Sequence, residues 1–174
     1  MDADFLLIRQ MKQGDEASFD VFVRKYYKDI LNYCTYHYPD REYARDITQE
    51  VFVRFFSGLS GYHYRGKTKN YLYTIARNLC RDYLKKMRET PVEEWDACGG
   101  EDRKENTMEG VLDKLTVEQA LKGLSEELRE VIILYYFQEL KLTEIGDILH
   151  IGLPLVKYRL RQAKMQLKNC IEII

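Results

Sequence analysis

Apolar residues recur every three to four positions along almost the whole chain, strict alternation is nearly absent, and only three prolines interrupt the pattern. That is the signature of an all-helical protein. A first helix is predicted from about Asp4 to Gln13, where Gly14 stops it. A second starts near Asp15, carries Val21, Phe22, Tyr26, Ile30 and Leu31 as its apolar positions, and continues to about Tyr36. After Pro39 and Asp40 a third places Ala44, Ile47, Val51, Phe52 and Phe55 on one face and ends at Gly58 and Gly61. The loop Tyr62 to Lys69 leads into a fourth helix from about Asn70 to Arg88, closed by Pro91.

From Pro91 to about Asn106 the periodicity lapses into an acid-rich stretch with Cys98, Gly99 and Gly100, which reads as a linker. Helical patterns resume over Thr116 to Gly123, Ser125 to Leu140, Thr143 to Leu149 and Pro154 to Asn169. Ser125 followed by Glu126 and Glu127 supplies the cap and early acids of a helix start. The expected architecture is therefore all-α: two small helical domains, 1–90 and 108–174, joined by a flexible acidic linker, 91–107. No internal repeat is present.

Within the second domain, the two short helices on either side of His150 have apolar residues at Ile145, Ile148, Leu149, Val156 and Leu160, the pattern of a helix-turn-helix. On a wheel of about 100° per residue, Leu160, Ala163 and Leu167 fall within roughly 40° of Val156. The opposite face shows Lys157, Tyr158, Arg161, Gln162, Met165 and Lys168. Such a face suits a major groove, because Arg and Lys donate to guanine O6 and N7 and Gln pairs with adenine. His150 stands at the turn, where glycine would suit a left-handed backbone.

Charge changes the picture of the first domain. The chain has 174 residues with 27 basic and 28 acidic side chains, a net charge of -1, yet the charges are segregated. Residues 1–90 carry a balance of +4, residues 91–127 one of -7, and residues 128–174 one of +2. From Tyr62 to Arg88, eight basic residues face Asp82 alone among aromatics, the footprint of a polyanion site. The fourth helix has an apolar stripe of Leu72, Ile75, Ala76, Leu79 and Tyr83 and a basic one of Arg77, Arg81, Lys85 and Arg88, with Asn78 and Asp82 one turn apart on the exposed side. Short polar groups flanked by phosphate-neutralising arginines suit the reading of base edges or unpaired bases. The preceding loop adds Tyr62, His63, Tyr64 and Arg65, and aromatics beside cations are what a single-strand site uses. Tyrosines closing a small helical core account for some of the 14 in the chain.

Other function classes find little support. His37, His63 and His150 have no Cys or acid partners at metal spacing, and no Gly-rich phosphate loop precedes a helix, so no catalytic residue, metal site or cofactor is expected. The longest uncharged apolar run, Val131 to Phe137, has seven residues against the ~20 of a bilayer crossing. The acidic start lacks a secretory signal, which makes the cytoplasm the expected location. Cys34, Cys80, Cys98 and Cys170 fit neither a zinc spacing nor a disulfide framework and read as reduced thiols.

Three motifs in order carry a family resemblance: Asp46 to Phe52 (DITQEVF), Tyr71 to Asn78 (YLYTIARN) continuing through Asp82-Tyr83-Leu84, and the C-terminal helix-turn-helix. Together they resemble bacterial sigma factors of the extracytoplasmic-function type over nearly the whole chain. The resemblance implies a promoter-melting domain at about 1–90 and a second DNA-binding domain at about 108–174. It implies docking of Asp46, Gln49 and Glu50 on the RNA polymerase core enzyme, at the clamp coiled coil of the largest subunit. It assigns minus-ten contacts to Asn78 and Asp82, and capture of a flipped base to the Tyr62 to Lys69 loop. The cationic-aromatic patch around these positions makes Tyr62, Tyr64, Arg77, Arg81 and Lys85 further candidates for the same DNA. Minus-thirty-five contacts fall to Lys157, Tyr158, Arg161 and Gln162. Promoter DNA and an anti-sigma factor are the other implied partners. This sequence has Tyr71 where the family commonly has tryptophan, and His150 in place of the turn glycine.

The tether from about Glu89 to Met108 counts 20 residues. Extended, it would reach about 70 Å, roughly two turns of DNA, so both domains can engage one duplex. A conventional helix-turn-helix regulator with an N-terminal signalling or dimerisation domain is the main alternative; it predicts a stable dimer on a palindrome and leaves the Tyr62 to Arg88 patch without a role. A helical adaptor binding an acidic protein is the other.

Overall fold

The computed structural model describes residues 2–38, 40–89 and 117–172. They fall into two compact units, one on each side of the segment 90–116. The acidic linker, with Trp95 and Cys98, lies outside the described residues. All regular structure among them is helical, as the periodicity predicts.

The first unit contains α1 (Ala3–Lys12), α2 (Glu16–His37), α3 (Arg41–Ser57), a single 3-10 turn (Leu59–Gly61) and α4 (Thr68–Glu89). Asp2 caps α1 by accepting the Asp4 N–H at 3.1 Å, and Asp40 caps α3 by accepting the Glu42 N–H at 2.9 Å. Phe22, Ile30 and Tyr33 of α2, Ile47, Val51 and Phe55 of α3, and Leu72, Tyr73 and Leu79 of α4 are essentially sealed from solvent. At the centre Phe22 and Phe55 stack with centroids 4.8 Å apart and planes 9° from parallel. The predicted Tyr62 to Lys69 loop is shorter than expected at its far end, because α4 already begins at Thr68.

Several tyrosines belong to this core. Tyr26 donates its hydroxyl to the Asp4 carboxylate, which Lys25 also meets at 2.5 Å. Tyr38 donates to the Cys80 carbonyl at 2.9 Å. Burial pushes both phenols well above their ordinary range, since an ionised ring cannot be solvated there. Cys34 and Cys80 are buried thiols outside any disulfide, whereas Cys170 is exposed.

The second unit contains a helical segment over 117–122, α5 (Glu126–Ile132), a π-helical segment (Ile133–Phe137), α6 (Leu142–Leu149) and α7 (Leu153–Glu172). Ser125 caps α5 through the Leu128 N–H at 3.5 Å, as its position predicts. The Arg129 guanidinium donates to the Leu121 carbonyl at 2.9 Å and the Leu124 carbonyl at 3.0 Å, fastening α5 to the segment before it. The expectation of one helix from Ser125 to Leu140 is corrected. The backbone widens into π-helical bonding at Ile133 and turns out of the helix at Gln138, and Glu139 takes a left-handed φ of 55°. The consecutive residues Val131 to Leu134 are all buried, so neighbours on several sides set the register here in place of a single apolar stripe.

Helices α6 and α7 form the helix-turn-helix. His150 adopts φ 55° and ψ 43° at the turn, the left-handed geometry for which glycine is the usual residue. Gly146 is required for a different reason: a Cβ there would sit 2.9 Å from the Ile151 carbonyl oxygen. Pro154 falls in the first turn of α7, where no intrahelical N–H bond is lost.

Candidate functional site

Three exposed helix faces and one loop contain the residues singled out by sequence. On α3, Ile47, Val51, Phe52 and Phe55 are buried, which turns Asp46 and Gln49 to solvent and leaves Glu50 half-buried beside them. Glu50 accepts from Arg54 Nε at 3.1 Å, one turn along the same helix. Val53 lies one turn beyond Gln49 on this face and is 55% exposed, an apolar group among polar ones that the sequence reading passed over. Its signal was present, since Val53 falls off the period of the buried stripe.

On α4, Asn78, Arg81, Asp82 and Lys85 are all exposed and fall at i, i+3, i+4 and i+7, so they form one continuous stripe. Arg77 lies on its flank, half-buried, with a buried Nε that has no hydrogen-bond partner among the described residues. Toward the helix start the stripe continues through Thr74 to Tyr71, which is 42% exposed. Tyr71 stacks on Tyr62 with centroids 5.1 Å apart and planes 23° from parallel, and Phe55 supports both rings from beneath at 5.3 Å and 6.0 Å. An aromatic platform, exposed on one side and backed by the core on the other, thus begins the cationic stripe.

Tyr62 has extended backbone (φ -76°, ψ 126°), and exposure alternates along the residues that follow it. Tyr62 and Tyr64 are half-buried, whereas His63 and Arg65 are exposed. Tyr62 rests on Phe55 with its hydroxyl 3.4 Å from Thr68 Oγ1, and burial pushes its phenol upward. Its backbone carbonyl accepts from Lys12 Nζ at 2.6 Å. Tyr64 donates its hydroxyl to the Asp2 carboxylate and packs its ring on Phe5 at 5.8 Å. The structure therefore brings Asn78, Arg81, Asp82 and Lys85 together, and gives Tyr62 and Tyr64 partners inside the protein.

On α7, Val156, Leu160 and Ala163 are buried, while Lys157, Tyr158 and Arg161 are exposed and Gln162 lies at the edge of the same face. Leu155 and Met165 also reach solvent there. Between the two faces Arg159 pairs with Glu127 of α5 at 3.2 Å, which ties α7 to α5. Among the described residues no cluster of His, Cys, Asp and Glu is arranged to hold a metal ion, and no helix is long and apolar enough to cross a membrane.

Comparison with known proteins matches both units. The Sigma-70 region 2 family profile covers residues 22–90, and the Sigma-70, region 4 profile covers residues 114–167. The chain is 30% identical over 174 residues to the ECF RNA polymerase sigma factor SigW of Bacillus subtilis, covering 93% of each chain. It is 31% identical over 164 residues to the RNA polymerase sigma factor YlaC of the same organism, covering 91% of this chain and 94% of that one. In fold it is similar to CnrH solved with the cytosolic domain of CnrY, with TM-score 0.79, 19% identity and 99% of each chain covered. It is also similar to RpoE solved with the anti-sigma factor NepR from Bartonella quintana, with TM-score 0.71, 21% identity, and 89% of this chain and 97% of that one covered. This chain belongs to the extracytoplasmic-function (ECF) family of RNA polymerase sigma factors.

Proposed function

We propose that this sigma factor, which directs RNA polymerase to promoters, divides its work between its two units. Residues 1–90 bind the core enzyme, recognise the minus-ten element and assist strand opening; residues 108–174 recognise the minus-thirty-five element. Asp46, Gln49 and Glu50, with Val53 as an apolar centre, form the core-binding face of α3. Asn78 and Asp82 read minus-ten bases, and Arg77, Arg81 and Lys85 neutralise the backbone beside them. An unpaired base needs a ring to stack on, and such stacking is worth about 1–3 kcal/mol. Tyr71, backed by Tyr62, offers that ring, and the loop shaped by Tyr62 and Tyr64 walls the captured base. Lys157, Tyr158, Arg161 and Gln162 enter the major groove upstream.

The observation that carries this reading is the α4 stripe, in which an exposed aromatic platform runs directly into Asn78, Arg81, Asp82 and Lys85. A factor of this kind acts in the cytoplasm, by binding and without catalysis of its own. One fold neighbour was solved with the cytosolic domain of CnrY and another with the anti-sigma factor NepR; the second supports an anti-sigma factor as a partner of this chain as well. The direct test adds the purified chain to core polymerase and measures specific initiation on duplex promoters. The full chain should support it, and the Asp46→Ala, Gln49→Ala, Glu50→Ala triple variant should remain helical yet fail to co-purify with core. Full-affinity core binding by that variant would remove the α3 assignment. A stable dimer that binds a palindrome without polymerase would favour the conventional regulator.

A further inference from the structure

Helix α1 lies outside the residues matched by the region 2 profile, which begins at residue 22. It nevertheless touches the 62–67 loop at two points, across about fifty to sixty residues of sequence. At its far end Lys12 Nζ donates to the Tyr62 carbonyl at 2.6 Å. At its start Asp2 accepts the Tyr64 hydroxyl, and Phe5 packs on the Tyr64 ring at 5.8 Å. Asp2 thus has two tasks at once, because its other carboxylate oxygen caps α1 through the Asp4 N–H. The first turn is fixed to α2 in its own right, through Asp4 with Lys25 and Tyr26.

We propose that α1 is a brace for the strand-opening loop, with Asp2, Phe5 and Lys12 as positioning residues that hold Tyr62 and Tyr64 inward so that His63 and Arg65 face the DNA. The proposal rests on the reading above that this loop captures the unpaired base. Its physical logic is pre-organisation. The 62–67 segment has no helix or strand to stiffen it, and Gly66 turns it at a φ of 72° that other residues rarely adopt. Ordering such a segment costs backbone entropy for each residue fixed, and a loop already held does not incur that cost at the moment of capture. Alternation does the rest: two inward anchors at Tyr62 and Tyr64 leave His63 and Arg65 on the opposite side. The Asp2 bond pushes the Tyr64 phenol up to about 12, and the Tyr64 bond holds the Asp2 carboxyl below its ordinary range, so donor and acceptor keep their forms at any usual assay pH.

The test uses the full chain assembled with core polymerase. Asp2→Ser keeps an N-cap for α1, since serine caps as well as aspartate, but is too short to reach Tyr64. Tyr64→Phe keeps the ring on Phe5 and removes only the hydroxyl. Each should slow opening of a duplex promoter by about fivefold, the scale of one exposed hydrogen bond. Helical content and core affinity should match the unaltered chain, and a template with a pre-opened mismatch bubble should be transcribed normally. Because both variants remove the same bond, the double variant should be no slower than either single one. A variant lacking both loop-face groups, His63→Ala with Arg65→Ala, separates the proposal from the reading beneath it. If that variant opens DNA slowly while Asp2→Ser or Tyr64→Phe opens it at the normal rate, the brace is wrong and the loop's role stands. Normal opening by the loop-face variant removes the loop's role and the brace with it.

Discussion

Gly146→Ala probes how closely the turn of the helix-turn-helix approaches α6. In an ordinary helix interior this exchange stabilises by about 1 kcal/mol, because alanine has the better helix propensity. Here the new Cβ would lie 2.9 Å from the Ile151 carbonyl oxygen and 3.7 Å from Val156 Cγ2. The oxygen is backbone, and the Ile151 N–H is itself bonded to the Gly146 carbonyl at 3.1 Å, so no rotamer change relieves the contact. Relief requires the turn to move away from α6, an overpacking cost of about 2–3 kcal/mol at the upper end of the usual range. The balance is a net loss of about 1–2 kcal/mol, with Gly146→Val losing more. Urea unfolding followed by circular dichroism gives the net value, and amide exchange at Ile151 localises it. A stabilised Gly146→Ala variant with unchanged Ile151 protection would refute the close approach.

Other outcomes follow from the same structure. His150→Gly should stabilise the chain by up to about 1 kcal/mol in thermal or urea unfolding, because it removes left-handed strain at a modest cost in unfolded-state entropy. Arg161→Ala should cost roughly 1–3 kcal/mol in promoter binding and relax preference at one upstream base pair; a uniform loss on all sequences would make Arg161 a phosphate contact. Stability should fall as pH rises above about 10: Tyr26 and Tyr38 keep their protons in the folded chain while the unfolded chain loses them, so the raised folded values favour folding below pH 10 and that advantage disappears in alkali. Tyr38→Phe should flatten that alkaline slope in pH-dependent urea titrations.

The α7 face was legible in the sequence because it depends only on period: once Val156, Leu160 and Ala163 are buried, Lys157, Tyr158 and Arg161 must face outward. The same holds for Asn78 and Asp82 on α4 and for Asp46 and Gln49 on α3. His150 was legible in another way, as a residue standing where the turn wants a left-handed backbone. Tyr62 and Tyr64 were not, because their partners Lys12, Phe5 and Asp2 lie far away in sequence and no local pattern announces a long-range contact. A tyrosine beside cations looks the same whether it stacks a base or anchors a loop. The π-helical segment escaped for a related reason, since the unbroken apolar run from Val131 to Phe137 has no polar interval to mark its register.

On the division of labour proposed above, the exposed stripe of α4 and the loop before it open promoter DNA while other faces hold the polymerase and the upstream element. Permanganate reactivity of thymines near the start site, measured with the Asn78→Ala, Asp82→Ala double variant bound to core polymerase, reads that opening. The variant should bind core with unchanged affinity and transcribe a pre-opened bubble template normally, while thymine reactivity on duplex promoter falls sharply below that of the unaltered chain. Undiminished thymine reactivity on duplex DNA, with Asn78 and Asp82 both replaced, would contradict the assignment.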